Sequence, residues 1–232
     1  MSFTGNLLVM AGCYFYILCI IIFSGKLDDK ITTRKVSRKV LHAFIGNLPF
    51  IMPYFTGNMF PFIVAFSFVI LTLLASPFSP FNSIQEKMKD LVDITDEGHK
   101  SGLIFYAVSY SILALFFGVH PYVVASGIFP MAYGDSVAAL IGESIGRHKF
   151  RIFEEKSLEG SLGMFLGCFF SLIIGMRYFS SIYGFSFSSQ IVPVLSVSFA
   201  TTIAEAASPR GTDNITIPLL GALTFLVTGG GP

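Results

Sequence analysis

The charges of this 232-residue chain are crowded into a few short segments, and that crowding constrains its fold more than any single motif. All 14 acidic residues and 14 of the 15 Lys/Arg lie in or beside 26–39, 86–100, 135–159 and 205–213, with Arg177 the exception. Between these segments run apolar stretches approaching the roughly 20 residues that cross the hydrocarbon core of a bilayer. Only 12% of residues are charged, against roughly 25% in an ordinary soluble domain, which argues against a water-soluble globule. Mean hydropathy of +0.72 excludes intrinsic disorder as well. The 26 Phe and 9 Tyr offer more apolar surface than one small core buries. Lipid is the expected solvent.

The apolar runs cover 5–24, 40–56, 60–76, 102–118, 121–141, 161–177, 190–207 and 215–228, eight candidate spans. The expected fold is therefore all-α: one polytopic membrane domain over 1–232, with polar loops at 25–39, 77–101, 142–160 and 208–214. Pro49, Pro53 and Pro218 interrupt the second and last runs, which leaves seven spans or a re-entrant segment as the alternative. The first run has no basic segment before it and positive charge after it, so it reads as a retained anchor. Eight spans place Lys26–Lys39, Lys87–Lys100, Arg147–Lys156 and Arg210 on one face. The positive-inside bias makes that face cytoplasmic and puts the N-terminus outside. Within the longest polar loop, 82–97 carries Ile84, Met88, Leu91 and Val92 at helical spacing, as a surface helix would.

Several functional classes drop out. A net charge of +1 implies no nucleic-acid partner. Cys13, Cys19 and Cys168 all sit in apolar runs, so neither a disulfide nor a metal thiolate is expected. No G-x-x-x-x-G-K-[ST], G-x-G-x-x-G, H-R-D or H-E-x-x-H pattern occurs, which removes P-loop, dinucleotide, protein-kinase and zinc-hydrolase sites.

Ionisable groups inside spans cost roughly 2.5–3.5 kcal/mol each on insertion scales, so Asp135 and Glu205 mark a site unless they pair with a basic neighbour. Around Asp135 the sequence is densest: Gly134-Asp135-Ser136, then Gly142, Gly146, Arg147, Lys149 and Arg151, then Lys156-Ser157-Leu158-Glu159-Gly160-Ser161. Carboxylates hold a divalent cation, Lys and Arg neutralise phosphate oxygens, and a helix start offers amides. A plain alternative is a positive-inside loop whose glycines, with Gly163 and Gly167, serve helix packing.

Three blocks together resemble the CTP-dependent polyprenol kinase family, which includes dolichol, phytol and a diacylglycerol kinase. They are Arg38-Lys39-Val40-Leu41-His42 with Gly46, the Gly134–Arg147 stretch with Lys156–Gly163, and Glu205 with Asp213-Asn214 and Pro218. Phosphatidate cytidylyltransferases are similar in the middle block, but their downstream Lys-Asp, His-Gly-Gly and Asp-Arg signature is absent. The resemblance implies transfer of the γ-phosphoryl group of CTP to an isoprenoid alcohol at the cytoplasmic face of the membrane. It implies Mg²⁺ held by Asp135 and by one or more of Glu159, Glu205 and Asp213. Lys156 would neutralise the transferring group, and His42 would position the hydroxyl or bind phosphate. Arg38, Lys39, Gly134, Ser136, Gly142, Gly146, Arg147, Lys149, Ser157, Gly160, Ser161 and Asn214 would contact the nucleotide. A transporter with Asp135 and Glu205 as ion ligands is the competing class.

Overall fold

A computed structural model describes residues 2–28, 41–76, 79–80, 102–209 and 211–232. Arg38, Lys39, Arg210 and the expected surface helix over 82–97 lie outside these residues. The described chain is overwhelmingly helical. Helices α1 (Phe3–Asp28), α2 (Met59–Ala75) and α3 (Gly102–Phe117) come first, then α4 (Pro121–Phe129), which runs through a π-helical turn into α5 (Asp135–Ile145). After a small hairpin follow α6 (Leu158–Tyr183), α7 (Ile191–Ala206) and α8 (Asp213–Val227). Phe3–Phe23, Pro121–Ile145 and Leu158–Tyr183 are long and apolar enough to cross a membrane; Met59–Ala75, Gly102–Phe117 and Asp213–Val227 are shorter apolar helices. Large side chains such as Leu8, Phe15, Phe116, Ile174 and Val227 face outward, the pattern expected where lipid replaces water.

Proline accounts for two departures from the sequence expectation, in opposite directions. The second run is not one span-length helix: it is helical over 41–45 and then folds into two 3₁₀ turns, Leu48–Phe50 and Met52–Tyr54. Pro49 and Pro53 each sit in the first positions of those turns, where their missing N–H costs nothing. Pro218, by contrast, does not break α8. It removes the donor for the carbonyl of Asn214, and the Ser109 hydroxyl of α3 donates to that oxygen at 2.9 Å. A lost backbone bond becomes a bond between helices. The loops also differ in detail, since α1 continues to Asp28 and a two-stranded hairpin occupies part of 142–160.

Glycine sets the close crossings. An added Cβ on Gly127 would lie 2.3 Å from the Pro218 carbonyl oxygen, and one on Gly221 would lie 2.6 Å from that of Ser126, so α4 and α8 touch backbone to backbone. Backbone cannot swing aside as a side chain can. Gly127→Val is therefore expected to cost about 1–3 kcal/mol by overpacking, read as a lower unfolding temperature in detergent. Gly175→Ala, whose added Cβ meets only the Phe129 ring, should cost less because an aromatic ring can shift. On α6, Gly160, Gly163 and Gly167 face Ala138, Ile141 and Val137 or Gly134, which realises the packing reading of those glycines.

Polar ties mark the two ends of the bundle. At one end Asn6 and Thr56 exchange two hydrogen bonds, and Asn58 binds Phe116 O and Val119 N. Also there, Gln190 donates to Gly231 O at 2.9 Å and accepts from Gly231 N at 2.8 Å. At the opposite end gather the C-termini of α5 and α7, the N-termini of α6 and α8, and the hairpin.

Candidate active site

Asp135 owes its place to the π turn. Pro130 interrupts the helical ladder, and the Asp135 N–H reaches back five residues to the Pro130 carbonyl instead of four. The widened turn spans Pro130–Gly134, and such turns recur at functional sites. Gly134 lies so close to α6 that an added Cβ would meet Cys168 Sγ at 2.4 Å. Its bare backbone seats the next residue against α6.

Lys156 arrives from the other side. The strands β1 (Lys149–Arg151) and β2 (Glu155–Ser157) pair antiparallel with Phe150 opposite Lys156. Directly after β2, Ser157 caps α6 by accepting the Gly160 N–H at 3.1 Å. The Lys156 ammonium bonds the carboxylate of Glu205, a residue only 3% exposed near the end of α7. Asp135 and Asp213 also lie within electrostatic reach of this ammonium. Partial burial pulls the Lys156 pKa down, but the charge and hydrogen bond of Glu205, aided by Asp135 and Asp213, outweigh it. The net shift is upward, so Lys156 is a cation at neutral pH and above.

The carboxylates of Glu205, Asp135 and Asp213, all among the described residues, act on this one ammonium. Among the described residues no three His, Cys, Asp or Glu side chains form a closed metal cage. An open set of carboxylates fits Mg²⁺, which is held by one or two carboxylates and completes its shell with substrate phosphates and water. Asp135 and Asp213 are the residues that would hold it.

Several expected site residues have other work. Glu159, expected as a metal ligand, accepts the Arg147 N–H at 3.1 Å and the His148 N–H at 3.2 Å, and its Oε1 lies 2.6 Å from His148 Nδ1. It clamps the turn between α5 and the hairpin. The Ser136 hydroxyl is spent on Ala132 O within its own helix at 2.6 Å. An added Cβ on Gly146 would meet Ser157 Oγ at 2.5 Å and one on Gly160 would meet Ala138 O at 3.2 Å, so both serve close packing, as does Gly142 beside them. Arg147 and Lys149 are exposed, and the Lys149 ammonium reaches no nearer than 3.5 Å to Gly142 O. The Ser161 hydroxyl, in the first turn of α6, is buried without a hydrogen-bond partner. Asn214 sits beside Asp213 at the head of α8, with Asp213 Oδ1 accepting its N–H at 2.9 Å.

His42 lies buried on the next element, its ring 4.8 Å from that of Tyr106 on α3. A network that motif spacing does not mark lies beside it. The Tyr133 hydroxyl, two residues before Asp135, donates to Asn47 Oδ1; Asn47 Nδ2 donates to the Tyr16 hydroxyl at 3.0 Å, which donates to Phe44 O at 2.9 Å. These bonds tie the His42 segment to the π turn. Asn47 was the available signal, an amide inside an apolar run.

No protein-family profile matches this sequence, and no solved structure does. Curated relatives do. A phytol kinase of Synechocystis sp. is 38% identical over 128 residues, which are 54% of this chain and 53% of that protein. Phytol kinase 1, chloroplastic, of Arabidopsis thaliana is 27% identical over 241 residues, covering 96% of this chain and 75% of the relative. The chain is a homologue of the phytol and farnesol kinases. Farnesol kinase, chloroplastic, of Arabidopsis thaliana adds 27% identity over 95% of the chain. The family resemblance carried by the three motif blocks is thereby borne out. The Synechocystis match spans about half the length of that relative, while the two Arabidopsis matches span about three quarters of theirs.

Proposed function

We propose that this protein is a CTP-dependent kinase of an isoprenoid alcohol of the phytol or farnesol class, working with Mg²⁺ at the cytoplasmic face of a membrane it crosses about eight times, N-terminus outside. The observation that carries the reading is the Lys156–Glu205 pair, with Asp135 and Asp213 in reach, at the bundle end where the helix start of α6 opens. Relatives named for phytol and farnesol phosphorylation support the acceptor class. The donor rests on the family resemblance of the motifs.

Phosphoryl transfer needs positioning and charge neutralisation more than a strong base. Lys156 meets the equatorial oxygens of the γ-phosphoryl group, where its elevated pKa keeps it charged. The unpartnered Ser161 hydroxyl, at the positive end of α6, receives a phosphate oxygen. Mg²⁺, when bound, offsets negative charge on the nucleotide phosphates. Asp135 and Asp213 anchor that neutralisation from the π turn and the head of α8. His42 and Tyr106 bound the side from which the alcohol approaches. The alcohol oxygen forms a bond to phosphorus as the bond to the β-phosphate bridging oxygen breaks, CDP leaves, and the hydroxyl proton is released to water.

A cytidylyltransferase would use the same groups to place CMP on a lipid phosphate, so point variants do not distinguish the two chemistries. The position of the label does. γ-Labelled CTP with phytol or farnesol is expected to give labelled lipid monophosphate, and α-labelled CTP to label no lipid, with ATP a poor donor. Lipid carrying the α-label would replace this reading with cytidylyl transfer. A transporter would instead move an ion across proteoliposomes without nucleotide.

A further inference from the structure

Away from the acidic cluster, α1, the 41–55 segment, α2 and α3 line a partly open cavity whose walls are apolar. Cys13 and Ile17 line it from α1, and α2 borders it from Pro61 to Thr72, about 16 Å at 1.5 Å per residue. From α3 come Leu103, Tyr106, Ala107 and Tyr110, one face of that helix. The lining runs along α2 and includes Tyr106, whose ring packs on that of His42.

Its polar atoms decide what it suits. The Thr72 hydroxyl donates to Val69 O at 3.1 Å, and the Tyr106 hydroxyl to His42 O at 3.4 Å. The Tyr110 hydroxyl has no partner, although Tyr110 is only 4% exposed. A buried phenol left unpaired in an apolar chamber is costly, and an occupant that brings one oxygen relieves it. Tyr106 joins this chamber to the reaction centre: it lines the cavity, packs on His42, and lies within electrostatic reach of Tyr133, two residues before Asp135. Leu41 and Ile45, flanking His42 in sequence, line it too.

We infer that this chamber is the acceptor site: the hydrocarbon of an isoprenoid alcohol lies along α2, and its hydroxyl end sits among His42, Tyr106 and Tyr110. The inference rests on the kinase reading and adds to it where the lipid binds. An apolar chain gains roughly 25 cal/mol for each Å² it removes from water, but in a bilayer that gain is already made. Selection here therefore comes from shape and from the single hydroxyl, so chamber volume sets which chain lengths fit.

The test uses the whole protein in nanodiscs and a farnesol analogue with a diazirine at the far end of its chain. Without nucleotide, photolysis is expected to label residues of α1, α2 and α3 that line the chamber, and excess farnesol should suppress that labelling. Labelling confined to outward residues such as Phe15 and Phe66 would overturn the inference. Ala107→Phe, and separately Ala65→Phe from the facing helix, should raise the KM for phytol at least tenfold relative to that for a ten-carbon isoprenoid alcohol. An unchanged KM ratio in folded protein would overturn it as well. Because the labelling needs no turnover, the two readings separate. Chamber labelling without phosphoryl transfer in the unmodified protein would retire the kinase and keep the lipid site, whereas transfer with only outward labelling would do the reverse.

Discussion

Lys156→Met is expected to abolish phosphoryl transfer and, separately, to destabilise the fold. The first effect follows from removing the cation that meets the transferring group; losing one such preorganised contact costs about 10²–10³-fold in rate. The second follows from Glu205, which is 3% exposed and bonded to Lys156. Breaking a buried pair from one side leaves an uncompensated charge, a cost of about 3–5 kcal/mol before discounting for the 22% exposure of the lysine side chain. A double variant, Lys156→Met with Glu205→Gln, separates the two. It should regain most of the lost unfolding temperature, because no charge is left buried alone, while activity stays absent. Recovery of both properties together would mean that the pair only holds the fold, and the site assignment would go with it. Lys156→Arg tests geometry with charge intact: a planar guanidinium is not a point charge, and a large loss of activity is expected.

Glu159→Ala should lower kcat by about 10²-fold, what a misplacement of order 1 Å can cost. The carboxylate holds the Arg147 and His148 amides and the His148 ring, and this turn leads into the strand pair that delivers Lys156. A metal-ligand role would predict the same loss. The two roles part on magnesium. If Glu159 were a ligand, raising Mg²⁺ would restore activity; as a clamp, it leaves a defect that no Mg²⁺ concentration repairs. The clamp also predicts faster proteolysis between Gly146 and Lys156 in the variant. His148→Ala, which spares both amide bonds, should show a milder form of each effect.

The contrast between Glu159 and Glu205 shows how far sequence carries the argument. Helix positions were legible because lipid imposes one pattern on every span: runs at 60–76, 102–118 and 190–207 correspond to Met59–Ala75, Gly102–Phe117 and Ile191–Ala206. Glu205 was legible for the same reason, since a carboxylate inside an apolar run demands a partner. Glu159 lay in a polar stretch, where its own partners, eleven and twelve residues away, left no periodic trace. Pro218 misled as a helix breaker because the hydroxyl that takes the freed carbonyl of Asn214 lies 105 residues from it in sequence. Tyr16 and Tyr133 were ordinary residues until the fold joins them through Asn47, whose amide inside an apolar run was the one visible sign. Sequence reports what a residue requires; only the fold reports which distant group supplies it.

The π turn at Pro130–Gly134 takes up one residue of slack. It closes over five residues where an α turn closes over four, so one deletion inside it would let the ladder close as an ordinary α turn and leave Asp135 to Ile145 on the same face, without the widened backbone beside Asp135. Val123 to Phe129, upstream, would keep their contacts. The distance in sequence from Pro130 to Asp135 is thus a ruler for comparing relatives. A relative one residue shorter between those two positions would keep its carboxylate on the same face, carried by a narrower turn, whereas one residue lost from α5 itself would shift every later position of that helix.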